Sequence, residues 1–304
     1  VDPAEKTTGV GFYFDTVVTF TLYGADETLM TELQNACVRY EQLLSRTIPE
    51  SDVGRINAAE GQTVTVDAET ADILRRALEI SDMTDHAFSV TIAPLTTLWD
   101  FSGGTERVPA EEERLAALPL VDDSRLKVEG NAVTLPAGMM IDLGGIAKGY
   151  IADKIKAYLI DNGVERAIIN LGGNVLCIGQ KRNGSDFNIA VKKPFTETGE
   201  YMEVLNDYSV VSSGTYERYF YSDDGTFYHH ILNPATGYPY DNNLCDVTII
   251  SSESTVGDCL STTCFVLGLD DGMKLINSLE GIEAVFMTND GSKYYSDNAK
   301  AYIN

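Results

Sequence analysis

Apolar and polar positions alternate from Thr16 to Leu22, with Val18, Phe20 and Leu22 on one side, which predicts a half-buried strand. Leu29, Leu33, Cys37, Tyr40 and Leu44 then recur every three or four residues, the stripe of an amphipathic helix. A second helix is predicted from Thr70 to Met83, with Leu74, Ala77, Leu78 and Ser81 along its inner face. Residues 101–135 mix Gly, Pro and charge and read as loops with one short acidic helix. Beyond Met140 the pattern tightens. Ile141-Asp142-Leu143-Gly144-Gly145 leads into a helix carrying Ile151, Ile155 and Leu159. Short strands are predicted at Ala167 to Leu171, Phe187 to Val191, Tyr208 to Ser212, Phe227 to Leu232 and Cys245 to Ser251. Helices follow at Thr255 to Leu267 and Asp270 to Leu279, then strands at Ala284 to Met287 and Lys293 to Tyr295. Many strands with helices in scattered order predict an α+β fold rather than a doubly wound parallel sheet. No linker or repeat divides the chain, so 1–304 reads as one domain with a short extended segment at 1–11.

Composition narrows the function by exclusion. The chain has 304 residues, 44% of them hydrophobic, enough for a substantial core. No run of about 18 apolar residues offers a membrane span. The chain begins Val1-Asp2-Pro3, and a processed N-terminus is expected, leaving room for a removed signal or lipid anchor. Lys and Arg total 22 against 46 Asp and Glu, a net charge of −24. Such a surface repels nucleic acid and anionic headgroups. A polyanionic small substrate would need local neutralisation by a metal or a few placed cations. Five cysteines show no C-x-x-C pair and read as buried small residues. The three histidines, His86, His229 and His230, are too few for a His-rich zinc site.

Four segments carry candidate chemistry. In Asp142-Leu-Gly-Gly-Ile-Ala-Lys-Gly-Tyr150, two glycines at a strand-to-helix junction let backbone approach a ligand, the helix start offers free amides, and Lys148 can neutralise a phosphate. Asn170-Leu-Gly-Gly-Asn174 is a second Gly-Gly turn, which alone is ordinary hairpin chemistry. His230-Ile-Leu-Asn-Pro-Ala-Thr-Gly-Tyr-Pro239 puts an imidazole beside a tightly shaped turn, suited to a general base. In Gly257-Asp258-Cys-Leu-Ser-Thr262, a helix would set Asp258 and Thr262 four apart on one face. Their carboxylate and hydroxyl form a hard-oxygen pair suited to Mg²⁺, and the plainer reading of Asp258 is a carboxylate near a helix N-terminus. The dinucleotide fingerprint G-x-G-x-x-G and the P-loop are both absent.

In this order and spacing the four segments closely resemble the ApbE family, the FAD:protein FMN transferases. Leu44-Ser45-Arg46 with Ser51 to Asn57, Phe88 to Trp99 and Ser213-Gly-Thr-Tyr-Glu-Arg218 extend the likeness from about Phe12 to the C-terminus. The resemblance implies an α+β, tunnelling-fold-like architecture of mixed sheets with flanking helices, and FAD held in a cleft. It implies Asp258, Thr262 and the Gly145 carbonyl as Mg²⁺ ligands, with Phe88, Asp142, Lys148, His230 and Ile231 at the FAD. His230 and Asp258 take the catalytic roles, His230 activating an acceptor hydroxyl. The implied reaction moves FMN from FAD to a Thr or Ser of a target flavoprotein, in an Asp-Gly-containing segment, with release of AMP. The rivals are an FAD pyrophosphatase and a non-catalytic FAD-binding protein. Export from the cytoplasm, with a lipid anchor as the one route to membrane contact, follows family habit. Two positions depart from the family's pattern: Phe14-Asp15-Thr16 stands where Met-Gly-Thr is frequent, and Thr47 stands where an aromatic residue is frequent.

Overall fold

The alternation of Val18, Phe20 and Leu22 is realised in a strand whose inner face is wholly covered by the first helix and its neighbours. The computed structural model describes residues 6–101, 104–192, 194, 199–204 and 207–302. The chain runs β1 (Lys6–Tyr13), β2 (Thr16–Tyr23), α1 (Glu27–Leu44), α2 (Asp52–Asn57), β3 (Thr63–Thr65), α3 (Ala68–Met83), α4 (Ala93–Trp99) and α5 (Glu111–Ala117). It continues through β4 (Lys127–Glu129), β5 (Ala132–Thr134), α6 (Ala147–Asp161), β6 (Ala167–Leu171), β7 (Asn174–Ile178), β8 (Phe187–Lys192) and β9 (Gly199–Val204). It closes with β10 (Ser209–Gly214), β11 (Tyr219–Tyr221), β12 (Phe227–His229), β13 (Leu244–Ser251), α7 (Ser254–Asn277), β14 (Glu283–Thr288) and β15 (Lys293–Tyr295).

Eight strands form one antiparallel sheet in the order β1-β2-β6-β7-β10-β13-β14-β15. Its two faces are buried differently. Leu176 of β7 and Ile169 of β6 meet the large core under α1, α3 and α6. Val247, Ile249 and Phe286 meet Leu260, Cys264 and Phe265 of α7. The opposite face, with Val175, Cys177, Val210 and Ile250, is covered in its middle by Phe187 and Ile189 of the β8–β9 hairpin. All eight residues of β13 are buried, as expected of a central strand covered on both sides. Among the described residues, no helix is long and apolar enough to cross a membrane.

Several expected elements shift. The segment at 1–11 holds most of β1, the edge strand paired to β2 from Lys6↔Tyr23 to Tyr13↔Thr16, and residues 1–5 lie outside the described residues. The expected loops at 101–135 contain, besides the acidic helix α5, two three-residue strands that join β3 in a small sheet. The strand expected to reach Leu232 stops at His229, and Leu232 makes only an isolated bridge to Pro239. The two final helices keep their expected division: the span α7 is broken into two helical stretches at Gly268, which takes the non-helical φ 80° and ψ 179°. Asn170 to Asn174 is a tight hairpin in which Gly172 and Gly173 both have positive φ and Leu171 pairs with Asn174.

Helices α6 and α7 cross closely, and the crossing depends on Gly149. A Cβ there would lie 2.3 Å from the Ser254 carbonyl oxygen and 2.8 Å from the Asp258 Cβ. The α6 residue Asp153 reaches back to accept from the Ser254 and Thr255 amides at 2.9 and 2.8 Å, capping α7 from outside, since Glu253 at its N-cap makes no capping bond to the helix and turns its carboxylate to Arg76 instead. Gly149→Ala should gain about 1 kcal/mol of helix propensity yet lose about 1–3 kcal/mol net as the helices are forced apart. Urea denaturation of the variant measures this, and a stabilised variant would show that the crossing is loose.

Candidate active site

The N-terminus of α6 is built by Asp142. Its amide donates to the Val90 carbonyl at 2.8 Å, and its Oδ1 accepts the Gly144 amide at 2.8 Å. Oδ2 pairs with Arg46 Nε at 2.9 Å. The carboxylate therefore shapes the turn and anchors a cation in the same place. Gly145 follows, and here the demand is for space rather than an unusual φ. A Cβ would lie 3.1 Å from the Phe88 ring and 3.9 Å from Thr262 Oγ1, so the bare backbone of Gly145 faces both.

Helix α7 presents Asp258 and Thr262 one turn apart. Asp258 is buried, and its Oδ2 accepts the Gly149 amide at 2.9 Å. Burial raises its pKa, while nearby Lys148 and that amide act to lower it. Thr262 Oγ1 lies 3.4 Å from Ser213 Oγ, which in turn is 2.7 Å from Ser261 Oγ.

The two adjacent histidines divide at the end of β12. His229 is buried against Phe265, its ring centroids 5.6 Å apart. Its Nε2 lies 2.8 Å from the Tyr240 carbonyl and its Nδ1 accepts the Ile231 amide at 3.3 Å. Both nitrogens are spent, and burial lowers its pKa. His230 faces the cleft. Its Nδ1 lies 3.3 Å from the Arg218 carbonyl, an acceptor that requires the proton on Nδ1. Nε2 is left as the basic atom, 4.0 Å from Glu217 Oε2. Burial in the cleft wall, with Arg218, His229 and Lys148 nearby, pushes its pKa down to about 3. Glu217 is pushed the other way, to about 7, by desolvation and by Asp246 and Asp258, against the opposing pull of Lys148 and Arg218.

These groups line one cleft of about 400 Å³. Every residue expected from the sequence meets there: Phe88, Asp142, Gly145, Lys148, His230, Ile231, Asp258 and Thr262. Ile231 is a buried wall residue. His86 stands apart, its Nδ1 against Ser81 Oγ at 3.2 Å. Phe14, Asp15 and Thr47, the departures from the family pattern, also line the cleft, and Phe14 and Asp15 hold positive φ in the β1–β2 turn. Sequence reasoning assigned no role to Glu217 or to the Arg46–Asp142 pair, although both lie in segments that carry the family likeness. The signal was a charged residue inside an otherwise apolar or glycine-pinned motif.

Among the described residues, no three His, Cys, Asp or Glu side chains converge as a zinc-type cluster would require. A carboxylate, a hydroxyl and a backbone carbonyl suit Mg²⁺, which takes few protein ligands and retains oxygen donors from water and phosphate. The absence of a side chain at Gly145, facing Thr262 Oγ1, supplies the opening such a donor set needs. The arrangement thus combines a carboxylate and a hydroxyl one helical turn apart, a cation on a helix start and a neutral imidazole with its basic nitrogen free. Imidazole ¹⁵N spectra of the free protein should show His230 as the neutral Nδ1–H tautomer down to about pH 5, because the base form persists above a lowered pKa. A resonance titrating near neutrality would contradict this environment.

The ApbE family model matches residues 14–286. The chain is 40% identical over 273 residues to the FAD:protein FMN transferase of Klebsiella pneumoniae, covering 88% of this chain and 84% of that protein. The FAD:protein FMN transferase of Treponema pallidum is 33% identical, with 88% and 78% covered. Among solved structures, the ApbE protein from Thermotoga maritima superposes with a TM-score of 0.91 at 31% identity, over 99% of this chain and 100% of that one. The flavin transferase ApbE from Vibrio cholerae gives 0.88 at 28% identity, with 99% and 100% covered.

Proposed function

The chain belongs to the ApbE family, and we propose that it transfers the FMN half of FAD to a Thr or Ser hydroxyl of a target flavoprotein and releases AMP. The observation that carries this reading is the meeting of Asp258, Thr262, Gly145, Lys148 and His230 in one cleft. The acceptor side chain is to be sought in an Asp-Gly-containing segment of the target.

Asp258, Thr262 and the Gly145 carbonyl would hold Mg²⁺, whose chemistry when bound is to neutralise pyrophosphate charge and polarise phosphorus. His230 receives the proton of the acceptor hydroxyl on Nε2, while the Arg218 carbonyl keeps Nδ1–H in place. The acceptor oxygen forms its bond to the FMN-side phosphorus as the anhydride bond to the AMP half breaks. FAD and a protein hydroxyl thus become an FMN phosphoester and AMP, with the proton passing through His230. Lys148 and the amides at the start of α6 stabilise the charge growing on the phosphate oxygens. Asp142 holds the turn that presents those amides, and Phe88 backs the glycine that lets them approach.

Mixing the protein with FAD, Mg²⁺ and a target domain carrying such a segment should raise the target's intact mass by one FMN unit. Chelation of Mg²⁺ should prevent the gain. His230→Ala should slow transfer about 10²-fold or more, and Asp258→Ala should abolish it together with its metal dependence. Free FMN and AMP without target labelling would instead establish a pyrophosphatase. Intact FAD, with binding indifferent to Mg²⁺, would establish a flavin-binding protein.

A further inference from the structure

A hydroxyl inside a helix ordinarily donates to the carbonyl three or four residues earlier. Thr263 does this, donating to the Cys259 carbonyl at 2.9 Å. Ser261 does it too, donating to the Asp258 carbonyl at 2.9 Å. Those two carbonyls are the ones Thr262 would use by the same rule, and each already carries a neighbour's hydroxyl as well as the helical amide four residues on, which together occupy both lone pairs. The Thr262 proton therefore has to leave the helix. The hydroxyl within reach is Ser213 Oγ on β10, at 3.4 Å.

Proton counting sets the direction of the hydrogen bonds that link these hydroxyls. Ser261 has one proton, and it is spent on the Asp258 carbonyl. Toward Ser213, 2.7 Å away, Ser261 can only accept. Ser213 must then donate to Ser261, because two oxygens at that distance without a proton between them repel. Its own proton gone, Ser213 can only accept from Thr262. The opposite direction would strand the Ser261–Asp258 contact in the same way. The sequence Thr262→Ser213→Ser261→Asp258 C=O is the one direction that satisfies both short contacts. Ser261 is completely buried, so water does not interrupt the chain there.

We propose that Ser213 and Ser261 are positioning residues that draw the Thr262 proton away from the cleft and leave its lone pairs facing a divalent cation. The proposal rests on the reading of Asp258, Thr262 and Gly145 as metal ligands. It adds that one residue governs both side-chain ligands: Asp258 gives its carboxylate directly, and its carbonyl terminates the relay that aims Thr262. A hydroxyl free to rotate would spend part of its time presenting a proton to the cation, so the relay contributes affinity by preorganisation.

The test is Mn²⁺ binding, followed by the EPR signal of free Mn²⁺, on the purified protein with and without saturating FAD. Ser213→Ala should weaken binding about tenfold, and Ser213→Thr, which keeps a hydroxyl on the same strand position, should restore it. In a Thr262→Val background, Ser213→Ala should change affinity by no more than about twofold, since its effect passes through Thr262. Wild-type affinity in Ser213→Ala, with binding still abolished in Asp258→Ala, would overturn the relay and leave the metal reading standing. Equal losses from Ser213→Ala in both backgrounds would also overturn it, by showing that Ser213 acts elsewhere. Failure of the wild-type protein to bind Mn²⁺ in either condition would overturn the relay and the metal reading together.

Discussion

Two carboxylates tie α6 to α7, and each is satisfied largely by the backbone of the opposite helix. Asp258 of α7 accepts the amide of Gly149 on α6. Asp153, one turn further along α6, accepts the amides of Ser254 and Thr255 at the start of α7. Burying a carboxylate without partners costs several kcal/mol, so neither helix can slide without stranding a charge. The contact also needs glycine at position 149, where a side chain would strike the Ser254 carbonyl. Everything in the cleft inherits its position from this crossing. The glycines before α6, Lys148 on its first turn, and Asp258 with Thr262 on α7 converge because the helix starts are pinned side by side.

That geometry also sets the electrostatics. A chain of net charge −24 binding a dinucleotide pyrophosphate must present cations locally, and Arg46, Lys148 and Arg218 all line the cleft. Lys148 acts on Asp258, Glu217 and His230 alike, lowering the pKa of each. Burial works against it at the two acids and with it at the histidine. A further positive charge near Asp258 would favour its ionised form and disfavour a charged His230. In the proposed reaction, an ionised Asp258 and a neutral, proton-accepting imidazole are therefore demands of one sign.

Much of this was legible in sequence where periodicity ran long enough to be read. The α1 stripe Leu29, Leu33, Cys37, Tyr40 and Leu44 is buried as its spacing required. The spacing of Asp258 and Thr262 was sufficient to place them on one helical face. The three-residue strands β3, β4, β5 and β11 show too little alternation to separate from loops, whereas the equally short β15 was legible beside β14. Strand β1 was obscured because Gly9 and Gly11 interrupt its pattern, and both lie against bulky side chains, Met30 and Tyr13. The break in α7 at Gly268 was also legible, because a glycine between two apolar helical stretches takes a conformation that no helix continues through. Glu217 and Arg46 acquire meaning only from partners far away in the chain, His230 and Asp142.

The pair His229-His230 shows why residue type alone does not find a general base. Both side chains lie in perturbed surroundings, and burial lowers the pKa of both. What separates them is the state of each ring nitrogen. In His229 one nitrogen faces the Tyr240 carbonyl and the other receives the Ile231 amide, so the ring has no lone pair to give and acts as a strut in the cleft wall. In His230 only Nδ1 is engaged, by a carbonyl that demands its proton, so the lone pair is on Nε2. The division falls where β12 ends, with His229 the last strand residue and His230 in the bend that follows. The strut helps to hold the base, because Ile231, whose amide His229 receives, is the next residue after His230. The same logic governs Thr262, whose neighbours Ser261 and Thr263 occupy the carbonyls it would otherwise use. In both places, adjacent residues of like chemistry are made unlike by which acceptors their neighbours have already taken.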